Sequence, residues 1–246
     1  MAWYKEWFGQ EYLDLYAHRD EDEAERHIDF VERFVARSGS GDTQPKRVLD
    51  LACGAGRHTA ALRRRGHAAV GADLSVTLLA HPPHFPPRVA GDMRCLPFRD
   101  GSFDWVLNFF TSFGYFERER ENFRVLEEIV RLLRPGGRFL IDFLNRDRVL
   151  DRLKDREVQQ IGGKEVHIER WYESTTRRIQ KRMRLVEADG RSATYLESVR
   201  AYDRDEVTIG ARWAGLEVDA LYGNFNGEPY HRDSERLMLV GYRPTL

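Results

Sequence analysis

The sequence predicts an α/β fold, a doubly wound and mostly parallel seven-stranded sheet that carries a small inserted antiparallel β lobe. Three observations predict it. Short apolar runs alternate with helix-period segments from Arg47 to Phe143, β-compatible runs dominate residues 156–201, and helix and strand signals resume after Tyr202.

Taken in order, Asp20-x-x-Glu23 reads as a capping box, and Ala24, Ile28, Val31 and Val35 recur on one helical face, giving a helix that ends near Ser38. After the loop SGSGDTQPK (38–46), Arg47–Leu51 reads as a buried strand entering a glycine-rich turn and the helix Arg57–Arg65. Ala68–Ala72 is a second strand, followed by a proline-rich loop (81–87), a short strand near Val89 and another at Phe103–Leu107. A helix spans about Arg120–Leu133, Pro135-Gly136-Gly137 stops it, and Arg138–Phe143 is the next strand. This alternation is that of a parallel sheet covered on both faces, for which a Rossmann-like arrangement is the natural solution. Three further β-compatible runs, Glu157–Tyr172, Arg177–Glu187 and Ala193–Tyr202, carry turn signals at Gly162-Gly163 and Asp189-Gly190. A helix (Asp203–Ala214) and two strands (Leu216–Tyr222 and Leu237–Tyr242) complete the original sheet. The expected division is a core of residues 1–146 and 202–246 with an insert at 147–201.

The composition narrows the function classes. Of 246 residues, 41% are hydrophobic and 32% charged, with 39 basic against 40 acidic side chains, as in an ordinary folded protein. The net charge of -1 gives no global pull toward nucleic acid. No stretch approaches the ~20 apolar residues of a membrane-spanning helix, and MAWYKEWFGQEY lacks the basic head and apolar run of a secretory signal, so a cytoplasmic location is expected. Cys53 and Cys95 are expected to be free thiols.

The strongest chemical signal is VLDLACGAGRHTAALRRRGH (48–67), a strand running into Gly54-Ala55-Gly56 and then a helix. Glycines suit a turn that a ligand must approach closely. A dinucleotide fingerprint would place Gly or Ala three residues after Gly56, where Thr59 stands. Asp50, Asp73 and Asp92 fall at the carboxyl ends of successive strands and converge on the crevice where open α/β sheets bind ligands. Such a ring suits an amine, ribose hydroxyls and an adenine amino group, and suits a pyrophosphate poorly.

These motifs resemble those of the class I S-adenosylmethionine-dependent methyltransferases. VLDLACGAGRHT is similar to their first motif and VGADLS (70–75) to the second acidic strand end. GDMRCLPFRDGSFDWVLNFF (91–110) is similar to the adenine-binding and fourth-strand motifs, and LLRPGGRFLIDF (132–143) to the approach to the fifth strand. The resemblance implies S-adenosylmethionine as cofactor, with Asp50, Gly54 and Gly56 around its methionine part and Asp73, beside Leu74, at the ribose hydroxyls. It implies Asp92 and the Met93 N–H at the adenine, the Asn108 carbonyl at the amino-acid end, and Arg57 or His58 at the carboxylate. The short proline-rich segment between Asp73 and Asp92 departs from the family and implies a truncated third helix. The insert resembles the small lobe of some small-molecule members.

Methyl transfer is an in-line displacement that needs alignment and exclusion of water, with a general base optional. Tyr115, Tyr230, His231 and His167 are candidates for that base. The small-molecule reading competes with an RNA or protein methyltransferase, because residues 146–184 hold 12 Lys/Arg against 7 Asp/Glu, and with a cofactor- or NAD-binding module. His81 and His84 lack a carboxylate or cysteine partner, so no metal site is expected. The N-terminal aromatics Trp3, Tyr4, Trp7, Phe8, Tyr12 and Tyr16 are expected either to pack on the core or to close over the cofactor. Acceptor choice is expected in 147–201 and the loop Gly223–Arg232. An exposed meander could equally supply a homodimer surface.

Overall fold

A computed structural model describes residues 2–16, 20–36, 44–81, 86–187 and 189–245. The helices α1 (Trp3–Trp7), α2 (Gln10–Leu15) and α3 (Glu21–Phe30) precede β1 (Arg47–Leu51), α4 (Arg57–Arg64), β2 (Ala68–Asp73), α5 (Val76–Leu79) and β3 (Arg88–Ala90). Then come β4 (Phe103–Asn108), α6 (Glu119–Leu132), β5 (Leu133–Leu144) and α7 (Arg146–Asp151). The strands β6 (Arg156–Ile161), β7 (Lys164–Glu173), β8 (Arg178–Val186) and β9 (Ser192–Arg200) follow, and α8 (Arg204–Ala214), β10 (Glu217–Tyr222) and β11 (Arg236–Tyr242) close the chain.

Seven strands form one sheet in the order β10-β11-β5-β4-β1-β2-β3, parallel except for β11, which runs antiparallel to both neighbours. Strand order reverses between β1 and β4, and in such sheets the ligand crevice opens at that reversal, beyond the carboxyl ends. One face is packed by α6 and α8 around Leu126, Ile129, Phe139 and Tyr202, the other by α3 and α4 around Ile28, Val31, Leu62 and Leu140. Helices α3 and α8 start at side-chain caps. Asp20 accepts the Glu23 N–H at 2.8 Å, and Asp203 and Glu206 form a reciprocal capping box on α8.

Three readings of the chain change. The insert has four strands, not three, because Gly162-Gly163 lies inside the first run and closes a two-residue hairpin in which Ile161 pairs with Lys164. Strand β5 begins at Leu133 rather than Arg138: Leu133 pairs with Phe103, and the ladder shifts register before resuming at Trp105 with Arg138, so Pro135-Gly136-Gly137 forms an irregularity within the strand. Helix α3 runs on in a π-type turn over Val31–Val35, and the expected end near Ser38 falls outside the described residues. Among the described residues between Asp73 and Asp92 the one helix is the four-residue α5.

The four-stranded antiparallel sheet β6-β7-β8-β9 is separate from the large one. Its inner face, Val166, Ile168, Met183 and Leu185, buries Trp7 and Leu15 of the N-terminal helices, so α1 and α2 are held between the insert and the crevice.

A close backbone approach fixes the edge of the large sheet. A Cβ on Gly241 would lie 1.9 Å from the Glu217 carbonyl oxygen and 2.7 Å from Phe139 Cε1. Gly241→Ala should therefore separate β10 from β11, destabilising the chain by roughly 2–4 kcal/mol and lowering the melting temperature by about 5–10 °C. An unchanged thermal transition would show that this edge yields freely.

Candidate functional site

The chain leaves β1 through a left-handed turn, with φ of 60° at Ala52, 56° at Gly54 and 84° at Gly56. Left-handed geometry suits glycine, and Gly56 serves as the N-cap of α4. The turn spends its own donors internally: the Gly54 N–H donates to Asp73 Oδ2 at 2.8 Å and the Gly56 N–H to the Cys53 carbonyl at 2.9 Å.

A cavity opens over this turn at the strand-order reversal. Asp50, Gly54, Arg57, Asp73, Leu74, Asp92, Met93 and Tyr115 all line it; Gly56 and Asn108 do not, but stand just behind its wall. Asn108 Nδ2 donates to the Leu51 carbonyl at 2.9 Å, tying the end of β4 to β1. Tyr230 and His231 lie outside, with the Tyr230 hydroxyl on Asn145 Oδ1 at 3.1 Å and His231 exposed. His167 is half-buried on the insert, 2.6 Å from Glu165.

Each carboxylate is held differently. Asp50, 1% exposed, accepts the Thr59 N–H at 3.0 Å and the Thr59 hydroxyl at 2.6 Å. It caps α4 from the neighbouring strand, and burial, offset in part by those bonds, pushes its pKa up to about 6. Asp73 accepts the N–H groups of Gly54 and Ser75, both at 2.8 Å, and burial raises its pKa against those bonds. Asp92 binds Arg94 through both oxygens, at 2.9 and 2.6 Å, and the guanidinium outweighs burial to hold the carboxyl below its ordinary value. Arg94 also lies 4.2 Å over the Phe116 ring. Arg57 is ion-paired with Glu23 and 4.8 Å over the Phe110 ring.

His58 lines the cavity and meets His27 with Nε2···Nδ1 at 3.0 Å, within a stack that continues to Phe109 and Phe225. Burial, with Arg57 nearby, pushes the His27 pKa down to about 3, so His27 is neutral. Cys53 is buried, and burial pushes its thiol up, away from nucleophilic reactivity. Among the described residues no three His, Cys, Asp or Glu side chains are grouped to hold a metal; His81 is exposed and His84 falls outside those residues.

The N-terminal aromatics divide. Trp7 is 1% exposed in the core under the insert, while Tyr4, Phe8, Tyr12 and Tyr16 wall the cavity. Phe8, Tyr12, Tyr16, Phe110 and Tyr115 also wall a second cavity, closed by Leu144, Val149, Arg170, Ile179, Lys181, Glu197 and their neighbours. Its charges are partnered: Lys181 donates to the Tyr16 hydroxyl at 2.8 Å and sits 3.6 Å from Glu197, and Arg170 pairs with Glu157 at 2.6 Å. No local motif announces these residues; only the packing of the insert against α2 and β5 gathers them. The loop Gly223–Arg232 contributes to neither lining, because Phe225 turns inward onto His27 at 3.7 Å.

Known proteins share this arrangement. The family described as "Methyltransferase domain" matches residues 49–141. A demethylmenaquinone methyltransferase of Mycolicibacterium paratuberculosis is 32% identical over 199 residues, which is 78% of this chain and 77% of that protein. In fold, an S-adenosylmethionine-dependent methyltransferase of Clostridium acetobutylicum aligns with a TM-score of 0.77 at 17% identity, over 95% of this chain and 96% of that one. A sugar N-methyltransferase of Streptoalloteichus aligns at 0.71 and 22% identity, over 94% and 92%.

Proposed function

We propose, from the premise that this chain belongs to the class I S-adenosylmethionine-dependent methyltransferases, that it methylates a small, largely apolar molecule held in the second cavity. The observation that carries this is the shared wall: Phe8, Tyr12, Tyr16, Phe110 and Tyr115 border both cavities, so a methyl group at the end of one faces the other. The relatives act on a quinone precursor and on a sugar, by their names, and a ring-bearing acceptor of that size suits walls of Phe, Tyr, Leu, Val and Ile.

The first cavity fits the cofactor. Arg57 is the one Lys or Arg among its described lining residues, against the carboxylates of Asp50, Asp73 and Asp92, which favours a ligand with an ammonium, a sulfonium and ribose hydroxyls over a pyrophosphate. When bound, S-adenosylmethionine supplies a methyl group on a positive sulfur. In this reading Asp50, with Gly54 and Gly56 shaping the turn, faces its ammonium and Asp73, beside Leu74, accepts from the ribose. Asp92 and the Met93 N–H face the adenine, Asn108 steadies the β1 end, and Arg57 meets the carboxylate. The rings of Tyr4, Phe8, Tyr12 and Tyr16 exclude water and face the cationic centre. Tyr115, on the partition, is the base candidate within reach of an acceptor; Tyr230, His231 and His167 stand away from both cavities. The insert, 147–201, acts as the acceptor-side half of the site.

The test is differential binding and label transfer. S-adenosylmethionine and S-adenosylhomocysteine should each raise the melting temperature while NAD leaves it unchanged, since a ligand selective for the folded state stabilises it by mass action. Equal stabilisation by NAD would sink the assignment. Incubation with methyl-labelled cofactor and fractionated metabolites should then label a small molecule; label in RNA or protein alone would overturn the acceptor reading.

The pKa of Asp50 gives a pH dependence of known sign. A cationic ligand favours the ionised carboxylate and lowers its pKa, so binding below pH 6 must release a proton. Affinity for S-adenosylmethionine should rise about five- to tenfold from pH 5 to 7 and then level off, and Asp50→Asn should flatten the rise. A slope that survives the substitution would place the ammonium elsewhere.

A further inference from the structure

The partition between the two cavities is the segment that leaves β4, and it is held at both ends by buried charge. At its start Phe110 and Thr111 both take left-handed conformations, φ 57° and 58°, which cost non-glycine residues energy unless the surroundings impose them. Asp142, fully buried on β5, accepts the Phe110 N–H at 2.8 Å and Arg236 Nε at 2.7 Å, and Arg236 reaches the Thr111 hydroxyl at 2.9 Å. At its end stands Arg178, the first residue of β8 in the insert and 7% exposed. Its guanidinium donates to the carbonyls of Gly114 (3.2 Å), Tyr115 (3.0 Å) and Phe116 (2.9 Å). It also donates to the carbonyl and hydroxyl of Ser198, at 2.6 and 2.7 Å. The Arg200 N–H adds a bond to the Gly114 carbonyl at 2.9 Å.

None of these five bonds from Arg178 ends on a carboxylate. Burying a guanidinium with no carboxylate bonded to it is expensive, and an apolar side chain would fill the space at lower cost. What the guanidinium does that an apolar residue cannot is fix three consecutive carbonyls in one arrangement. The side chain between them is Tyr115, whose ring meets Trp3 at 4.7 Å and Phe8 at 5.9 Å from the other side.

We propose that Arg178 is a positioning residue for methyl transfer, fixing Tyr115 on the partition so that the insert, through this one side chain, sets how an acceptor in the second cavity meets the donor in the first. This rests on the acceptor reading of the second cavity, and it makes the insert part of the site's scaffold rather than a cover over it. Arg178 touches neither cavity's contents and acts only through the backbone of Gly114–Phe116.

The test uses the full chain labelled with 3-fluorotyrosine, the Tyr115 resonance being assigned with Tyr115→Phe, and S-adenosylhomocysteine as the probe ligand. Wild type should give one sharp Tyr115 line. In Arg178→Met that line should broaden or split while the other tyrosines hold and the Kd for S-adenosylhomocysteine stays within about threefold, since the cofactor's carboxylates are untouched. Ser198→Ala, which removes one bond and leaves the fold's charge intact, should shift the Tyr115 line part of the way, and so covers the case in which Arg178→Met does not fold. In label transfer kcat should fall by at least about tenfold in Arg178→Met, as misalignment of a reacting pair does, with recovery in part by Arg178→Lys. An unmoved Tyr115 line in folded Arg178→Met or Ser198→Ala would overturn the proposal, as would equal movement of every tyrosine, which marks general loosening. Absence of methyl transfer by wild type would instead count against the acceptor reading, leaving the Tyr115 measurement to decide the clamp.

Discussion

Asp73→Ala is expected to weaken S-adenosylmethionine binding by roughly 1–3 kcal/mol, about 5- to 150-fold in Kd, with the domain still folded. Two effects combine. The carboxylate is proposed to accept from the ribose hydroxyls, and charge-assisted bonds in a buried setting are the stronger kind. It also accepts the Gly54 and Ser75 N–H groups, so it shapes the turn that the methionine part would approach. Asp73→Asn separates them, because an amide oxygen keeps one backbone bond while the charge is lost; its Kd should fall between wild type and Asp73→Ala. The fold should survive both, since the Asp73 backbone stays in the ladder with Ala90 and its carbonyl receives the Gly91 N–H at 2.9 Å. Calorimetry on a variant with native circular dichroism decides the matter, and an unchanged Kd in both would remove Asp73 from the ribose.

The acidic strand ends were legible in the chain because each sits within a few residues of its own signal. A strand, a glycine turn and a helix start are local patterns, and the sheet brings Asp50, Asp73 and Asp92 onto one cavity without further information. Local reading could not name Thr59 as the residue through which Asp50 caps α4, because that bond spans nine positions and depends on how the turn folds back. In the sequence Arg178 is only one of the 12 Lys/Arg of residues 146–184. Its burial comes from a contact with residues 114–116, more than sixty positions earlier, and nothing in RRIQKRMRLV distinguishes it from Arg182 or Arg184, which face solvent. The aromatic N-terminus left core packing and closure over the cofactor as alternatives, and the fold divides the rings, with Trp7 in the core and Tyr4, Phe8, Tyr12 and Tyr16 lining the cavities. Tertiary packing divides these rings, and sequence spacing over two short helices cannot.

The insert offers the other large effect. Exchange of residues 147–201 for a short Gly/Ser linker removes Val149, Leu153, Arg170, Ile179, Lys181, Glu197 and Val199 from the second cavity, so methyl transfer should be lost. The same exchange strips Val166, Ile168, Met183 and Leu185 from Trp7 and Leu15, and α1 and α2 lose the platform that holds Tyr4, Phe8, Tyr12 and Tyr16 on the first cavity. Cofactor affinity should therefore fall as well, by about tenfold if the aromatic roof contributes in proportion to its burial. Ile179→Trp isolates the acceptor side. Ile179 is half-buried on β8, opposite Val199, and lines the second cavity but not the first, so an indole there fills the acceptor side. The expected result is a loss of methyl transfer of more than about a hundredfold with the Kd for S-adenosylmethionine within about threefold, and a stability cost of roughly 1–3 kcal/mol from overpacking. If the sheet is instead a dimer face, the substitution should leave transfer near normal and change the sedimentation coefficient. That pattern would move the acceptor out of the second cavity.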